Sequence, residues 1–278
     1  MKLMASKIQA ICLDMDGTLL NQDHEISQHT KETLVRCLDQ GIHVWIVTGR
    51  PYCFAKYHAL NIDPMVQVIA SNGGCFDLGD DIKEITIDAE TISKVIDVFQ
   101  ETNVHAFLKG KTDIYTHESY DERFLYDTYN GKANFPTTTS YTDLSWETLK
   151  KEAKEIVKML VYDFDQENLI KTRRQLENDP KITISSYNDI SFDVNGENVN
   201  KGNSIRTVCE YWNIPLEKVI AFGDGYNDIP MFEVCGMTVA MANAKPEIQA
   251  KCDWVTKSNN EDGIAYMLEK ILGNELYQ

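Results

Sequence analysis

Residues 8–18 read Ile-Gln-Ala-Ile-Cys-Leu-Asp-Met-Asp-Gly-Thr, and this stretch decides the fold. The mostly apolar run from Ile8 to Leu13 predicts a buried strand, and it delivers two carboxylates, Asp14 and Asp16, to its end. Side chains at i and i+2 of an extended segment share a side, and Gly17 lets the chain turn directly behind them. Two like charges that close are costly unless a cation or a proton lies between them. Once neutralised, one carboxylate can attack an electrophile while its neighbour handles a proton. Asp-x-Asp-Gly also suits a solvated turn. It opens the calcium loop of helix–loop–helix hands as well, with Glu25 where the closing carboxylate would stand. The rest of that register fails, because Leu19 replaces the turning glycine and Thr18 a preferred Asp or Asn.

Working outward, strand and helix alternate. Ser27 is the expected N-cap of a helix that stops at Gly41. Ile42–Val47 is a second short strand ending at Thr48-Gly49-Arg50, and Pro51 suits the first turn of the next helix. Val66–Ala70 is a third strand, ending at Ser71-Asn72-Gly73-Gly74. Units of this size imply a parallel sheet with right-handed crossovers, whose ligands sit at the carboxyl ends of the strands. From about Thr86 to Phe192 the texture changes to polar helices (89–103, 166–178) and short strands such as His105–Leu108, Ile156–Tyr162 and Ile182–Ser186. This predicts an inserted α+β module. The alternation resumes after Asn200 with a helix Lys201–Trp212, a strand Val219–Phe222 and a helix Asn227–Cys235. The expected fold class is therefore α/β, a Rossmann-like doubly wound core with a large insert.

The chain has 278 residues, with 27 basic against 43 acidic side chains and a formal charge of −16. Such acidity argues against nucleic acid or an anionic membrane as a partner, and requires any anion site to gather positive charge locally. The 7 cysteines include no Cys-x-x-Cys pair, so neither a zinc site nor a thioredoxin-like motif is supported. With no signal peptide or membrane-spanning apolar run visible, a reduced cytoplasm is the expected location.

Two further elements carry chemistry. Gly223-Asp224-Gly225-Tyr226-Asn227-Asp228 follows a buried strand, as the first motif does. A parallel sheet would set Asp224 beside Asp14 and Asp16, three hard oxygen donors that suit Mg²⁺. Lys201 opens its helix, where the dipole disfavours a cation, so its charge is wanted for an anion or for the carboxylates. Thr48, with N–H groups at a helix start, can bind phosphate oxygens.

DMDGT, TGR, the lysine of NKG and GDGYND occur in the order and approximate spacing of the haloacid dehalogenase superfamily, which the whole chain resembles. SNGG and the insert between the second and third motifs look like its Cof-type (subfamily IIB) phosphatases. The resemblance implies a core of residues 1–85 and 193–278, and a mobile cap of 86–192 that sets specificity. It also implies Mg²⁺-dependent hydrolysis of small phosphorylated metabolites, sugar phosphates or cofactor-type monoesters, through an aspartyl-phosphate. Position by position, Asp14 matches the nucleophile and a metal ligand. Asp16 matches the general acid/base, its backbone carbonyl on the metal. Thr48 and Gly49, with the backbone at Met15, match the phosphate-binding element, and Lys201 the lysine that holds nucleophile and phosphate. Asp224 matches a metal ligand, Asn227 a phosphate contact, and Asp228 a carboxylate behind the metal. Glu197-Asn198-Val199-Asn200 departs from the glycine and serine that relatives often carry before the lysine.

In the cap, Lys109, Lys111, His117, Arg123, Lys132 and the aromatic stretch Tyr115 to Phe135 are candidates to reach over the site, with hinges near Ile85–Asp88 and Phe192–Gly196. The expected assembly is a monomer or weak homodimer. Sucrose- or trehalose-phosphate-type phosphatases and phosphomutases share such a core. A non-catalytic phosphometabolite-binding regulator is the other class, against which the intact Asp14, Asp16, Lys201 and Asp224 set speaks.

Overall fold

The computed structural model describes residues 8–118, 139–188 and 190–273. In chain order its strands are β1 (Ala10–Leu13), β2 (His43–Val47), β3 (Gln67–Ala70), β4 (Cys75–Leu78) and β5 (Asp81–Glu84), then β6 (His105–Lys109), β7 (Asp113–Tyr115), β8 (Thr139–Tyr141), β9 (Lys158–Tyr162), β10 (Ile182–Asn188) and β11 (Ser191–Gly196), and finally β12 (Val219–Gly223), β13 (Met237–Ala240) and β14 (Trp254–Val255). They form two sheets: an eight-stranded one ordered β14-β13-β12-β1-β2-β3-β4-β5 and a six-stranded one ordered β10-β11-β9-β6-β7-β8.

The large sheet is parallel from β14 to β3, and β4 and β5 add antiparallel strands at its edge. Its inner strands are apolar on both faces because helices cover both. Ile11, Leu13, Val44, Ile46, Ile220 and Phe222 pack with the helices Gln28–Asp39, Tyr52–Ile62 and Gly263–Leu272. Cys12, Trp45, Val47 and Ala221 face the opposite way, onto Ile205, Val208 and Cys209 of the helix Lys201–Trp212. The chain order departs in opposite directions from β1, to β2 on one side and β12 on the other. This is a switch point, where the crevice of such sheets binds ligands.

The small sheet lies between β5 and β12 in sequence and has its own core, with Val95, Ile96 and Phe99 of the helix Ala89–Thr102 packed on Leu108, Met159 and Val161. The chain enters it through 85–88, which has no regular structure. The second expected hinge is not a loop. Phe192–Gly196 lies in β11, laddered to β9 and β10, and a strand paired on both edges does not absorb a backbone rotation. The small sheet thus continues past the boundary expected at 192, and the irregular exit follows Gly196. The expected helix Asn227–Cys235 is also shorter, a 3-10 turn at Tyr226–Asp228 followed by a helix Ile229–Phe232. Among the described residues no helix is long and apolar enough to cross a membrane. All seven cysteines are free thiols, four of them buried.

Candidate active site

The candidate side chains stand at the carboxyl ends of adjacent strands. Asp14 follows β1, Thr48 follows β2, Asn72 lies just beyond β3, and Asp224 follows β12. Their nearness follows from the register, which sets Leu13 beside both Phe222 and Ile46. The chain turns sharply after β1, with Leu19 N–H donating to Asp14 O at 3.2 Å and Leu20 N–H to Met15 O at 2.9 Å. Gly17 has φ of +80°, and a Cβ there would stand 2.3 Å from Asp224 Oδ2, so only glycine lets the two motifs close on each other.

Lys201 is the hub. Its Nζ donates to Asp14 Oδ1 at 2.5 Å and to Asp228 Oδ1 at 2.6 Å, and its side chain is wholly buried. Asp228 Oδ2 accepts from the N–H groups of Asp224 and Gly225 at 3.0 and 2.9 Å, which fixes the turn that presents Asp224. Thr18 Oγ1 donates to Asp224 Oδ1 at 3.0 Å. The carboxylates of Asp14, Asp224 and Asp228 lie within 4.8 Å of one another. Three acids against one ammonium leave two negative charges in a buried space. Burial, then Asp228, lift the Asp14 carboxyl well above its usual range, and Lys201 only partly opposes them. The same two causes push Asp224 up to about 7. Burial pulls Lys201 down, but Asp14 and Asp228 outweigh it and leave its pKa above the ordinary lysine value. An all-oxygen donor set with two negative charges in excess fits a small hard divalent cation.

Asp16 goes elsewhere. The strand ends at Leu13, so the extended alternation that would aim Asp16 beside Asp14 does not persist through the turn. Its carboxylate takes two parallel bonds from Arg50, Nε to Oδ2 and Nη2 to Oδ1, both at 2.8 Å. The converging third carboxylate is Asp228, not Asp16. The sequence motif Thr-Gly-Arg does not by itself assign Arg50 this partner. Its signal was a cation two residues beyond Thr48 at a strand end in an acid-rich chain.

Thr48 is buried, and its Oγ1 accepts from the Arg50 N–H at 3.0 Å. Asn227 is buried and lines a cleft of about 540 Å³ with Tyr226 and Pro230 on one side and Arg173, Ser185 and Ser191 on the other. That size suits a small molecule.

Lys109 is buried on the small sheet, and electrostatic coupling links it to Asp193 and Arg50. Lys111, in the loop between β6 and β7, pairs with Glu84 of β5 at 3.1 Å. His117 stacks on Trp146 with ring centroids 3.8 Å apart, and Tyr115 on Tyr141 at 4.8 Å. Arg123, Lys132 and most of the aromatic stretch up to Phe135 lie outside the described residues.

Comparison with known proteins gives the chain's family and fold. The family described as haloacid dehalogenase-like hydrolase matches residues 11–268. Two Bacillus subtilis proteins, the 5-amino-6-(5-phospho-D-ribitylamino)uracil phosphatases YwtE and YitU, are 28% and 27% identical. The alignments cover 96% of this chain in both cases, and 99% and 98% of theirs. A solved haloacid dehalogenase-like hydrolase from B. subtilis superposes with a TM-score of 0.82 at 26% identity, over 94% of this chain and 99% of its own. The chain belongs to the haloacid dehalogenase-like hydrolases, enzymes of phosphoryl transfer.

Proposed function

We propose that this enzyme is a Mg²⁺-dependent phosphatase that hydrolyses small phosphorylated metabolites through an aspartyl-phosphate on Asp14. The observation that carries the reading is the buried Asp14–Lys201–Asp228 chain beside Asp224, at the switch point of the sheet. Asp14 and Asp224, with the backbone carbonyl of Asp16, are the groups to hold the ion. Both oxygens of Asp228 are already engaged by Lys201 and the N–H groups of Asp224 and Gly225, so Asp228 acts from behind. Magnesium, when bound, supplies the positive charge that lets a carboxylate approach a phosphate dianion.

Asp14 then attacks phosphorus in line, the phosphorus–oxygen bond to the leaving group breaks, and Asp16, with one oxygen released by Arg50 and protonated, gives the leaving oxygen that proton. In the second half Asp16 takes a proton from water, which attacks the phosphorus of the acyl phosphate, freeing inorganic phosphate and Asp14. Lys201 offsets the charge of Asp14 throughout. Thr48, the N–H groups of Gly49 and Met15, and Asn227 hold the phosphate oxygens, while the grip of Arg50 fixes where Asp16 stands. The small-sheet unit acts as the cap, and the cleft beside Asn227 takes the leaving group.

The two B. subtilis relatives put 5-amino-6-(5-phospho-D-ribitylamino)uracil first among substrates to try. The test is release of inorganic phosphate from that ester and a panel of sugar and cofactor phosphates, with Mg²⁺ and with chelator. Turnover that depends on the ion supports the proposal. Tight binding of one ester without hydrolysis of any would make the protein a phosphometabolite-binding regulator instead.

A further inference from the structure

The three carbonyls of Thr48-Gly49-Arg50 are each taken by a donor from outside that segment. Thr48 O accepts from the Asn72 N–H at 3.0 Å and Arg50 O from the Ser71 N–H at 2.9 Å. Gly49 O accepts from Lys158 Nζ at 2.7 Å. The first two donors belong to the turn after β3. The third comes from β9, in the small sheet.

Lys158 is itself held. Its Nζ donates to Asp193 Oδ2 at 2.9 Å, and that oxygen also accepts from Asn72 Nδ2 at 2.8 Å. Asn195, cross-strand from Lys158, donates through Nδ2 to Ser71 O and Val157 O, each at 2.9 Å. The Lys158 and Asp193 side chains are 4% and 0% exposed.

The peptide joining Gly49 to Arg50 is the junction of this network. Its C=O takes the ammonium of Lys158, its N–H donates to Thr48 Oγ1 at 3.0 Å, and the side chain beyond it grips Asp16. A charged donor on the carbonyl polarises the amide and strengthens the bond made by its N–H. With Thr48 Oγ1 held as an acceptor from Arg50, its own proton is directed elsewhere, toward the phosphate. We propose that Lys158 is a positioning residue: from the small sheet it fixes the Gly49–Arg50 peptide, so that the phosphate cradle and Asp16 reach register only when the two sheets are docked. The proposal rests on the phosphatase reading above and adds to it a residue and a coupling between cap and core.

Stability alone is a poor account of this network. Asp193 Oδ1 and Asn72 Oδ1 are buried with no hydrogen-bond partner among the described residues, and an incompletely satisfied buried ionic network is often no more stable than an apolar replacement. Ser71 and Asn72 also hold φ of 53° and 57°, a left-handed backbone that a serine seldom adopts. These costs fall together beside the turn that faces the phosphate, where geometry is what they secure.

The test compares K158M with V161A, a cavity variant in the small-sheet core on the opposite face of β9. Kinetics on the best ester, calorimetric binding of inorganic phosphate in the presence of Mg²⁺, and Tm are measured for each. K158M is expected to lose about 100-fold in kcat/KM and to bind inorganic phosphate more weakly, whatever its Tm. V161A is expected to lower Tm and leave both unchanged at a temperature where it stays folded. D193N keeps the donor but loosens its anchor, and should fall between wild type and K158M. Wild-type kinetics and phosphate binding in K158M overturn the proposal, as do losses in K158M and V161A that simply follow Tm. If the wild-type enzyme hydrolyses no ester, the phosphatase reading fails by itself. The phosphate-binding comparison still decides the role of Lys158.

Discussion

Replacing Lys201 by Met exposes the energetics of the site most clearly. The side chain is fully buried and bonded to two carboxylates, which lie within 4.8 Å of a third. Methionine fills a similar volume but leaves the acids without their cation. Removing one partner of a buried ion pair costs about 3–5 kcal/mol, which for a chain of this size lowers Tm by about 10 °C. The assay is thermal and urea unfolding in chelator at pH 8. Two features separate this cause from lost packing. The raised folded-state pKa values of Asp14 and Asp224 mean that their charge penalty is present above the ordinary carboxylate pKa and is relieved as pH falls toward it. The K201M deficit should therefore shrink between pH 8 and pH 5. The double variant D14N/K201M removes one of the unpaired charges, so it should be more stable than K201M alone. A K201M protein as stable as wild type in chelator, or a deficit independent of pH, would refute the reasoning.

Arg50 and Lys109 give further tests. R50A should lower kcat by about 10- to 100-fold through a misplaced Asp16, and R50K should recover little because an ammonium lacks the bidentate fork; steady-state kinetics with equal activity in R50K and wild type would reject the role of that fork. Burial, with Asp193 opposing it and Arg50 adding to it, pulls Lys109 down to about 8. The unfolded chain holds that proton to about 10.5, so the folded protein carries the penalty below pH 8 and loses it as pH rises from there toward 10.5. K109M should then gain up to about 3 kcal/mol in urea unfolding at pH 7 and less at pH 10; an equal change at both values would contradict this. S27A should lower stability by about 1 kcal/mol, because Ser27 Oγ caps the helix Gln28–Asp39 by accepting from the Thr30 N–H at 3.0 Å. Urea unfolding that leaves S27A unchanged would dismiss the cap.

Much of the core was legible because its signals are local. The run into Asp14, the cap at Ser27 and the helix beginning at Lys201 each rest on residues a few positions apart, and each element formed where those residues place it. What was not legible depends on partners far off in sequence. Asp16 and Arg50 are 34 residues apart, and Asn72 and Asp193 are 121 apart. No periodicity relates such pairs. The polar alternation of Asp193 and Asn195 within β11 was the one available hint that a face of this strand meets something other than a hydrophobic core. The turn after Leu13 misled for a related reason. Alternation of side chains holds only while the strand lasts, and β1 stops one residue before the motif begins.

The claim on which the mechanism rests is that Asp14 accepts the phosphoryl group, and D14N measures it directly. Asparagine keeps the shape and removes the nucleophile. In multiple-turnover hydrolysis of the best ester with Mg²⁺, D14N should fall by about 10⁴-fold or more, with its Tm retained. Sustained turnover by D14N near the wild-type rate would contradict the account.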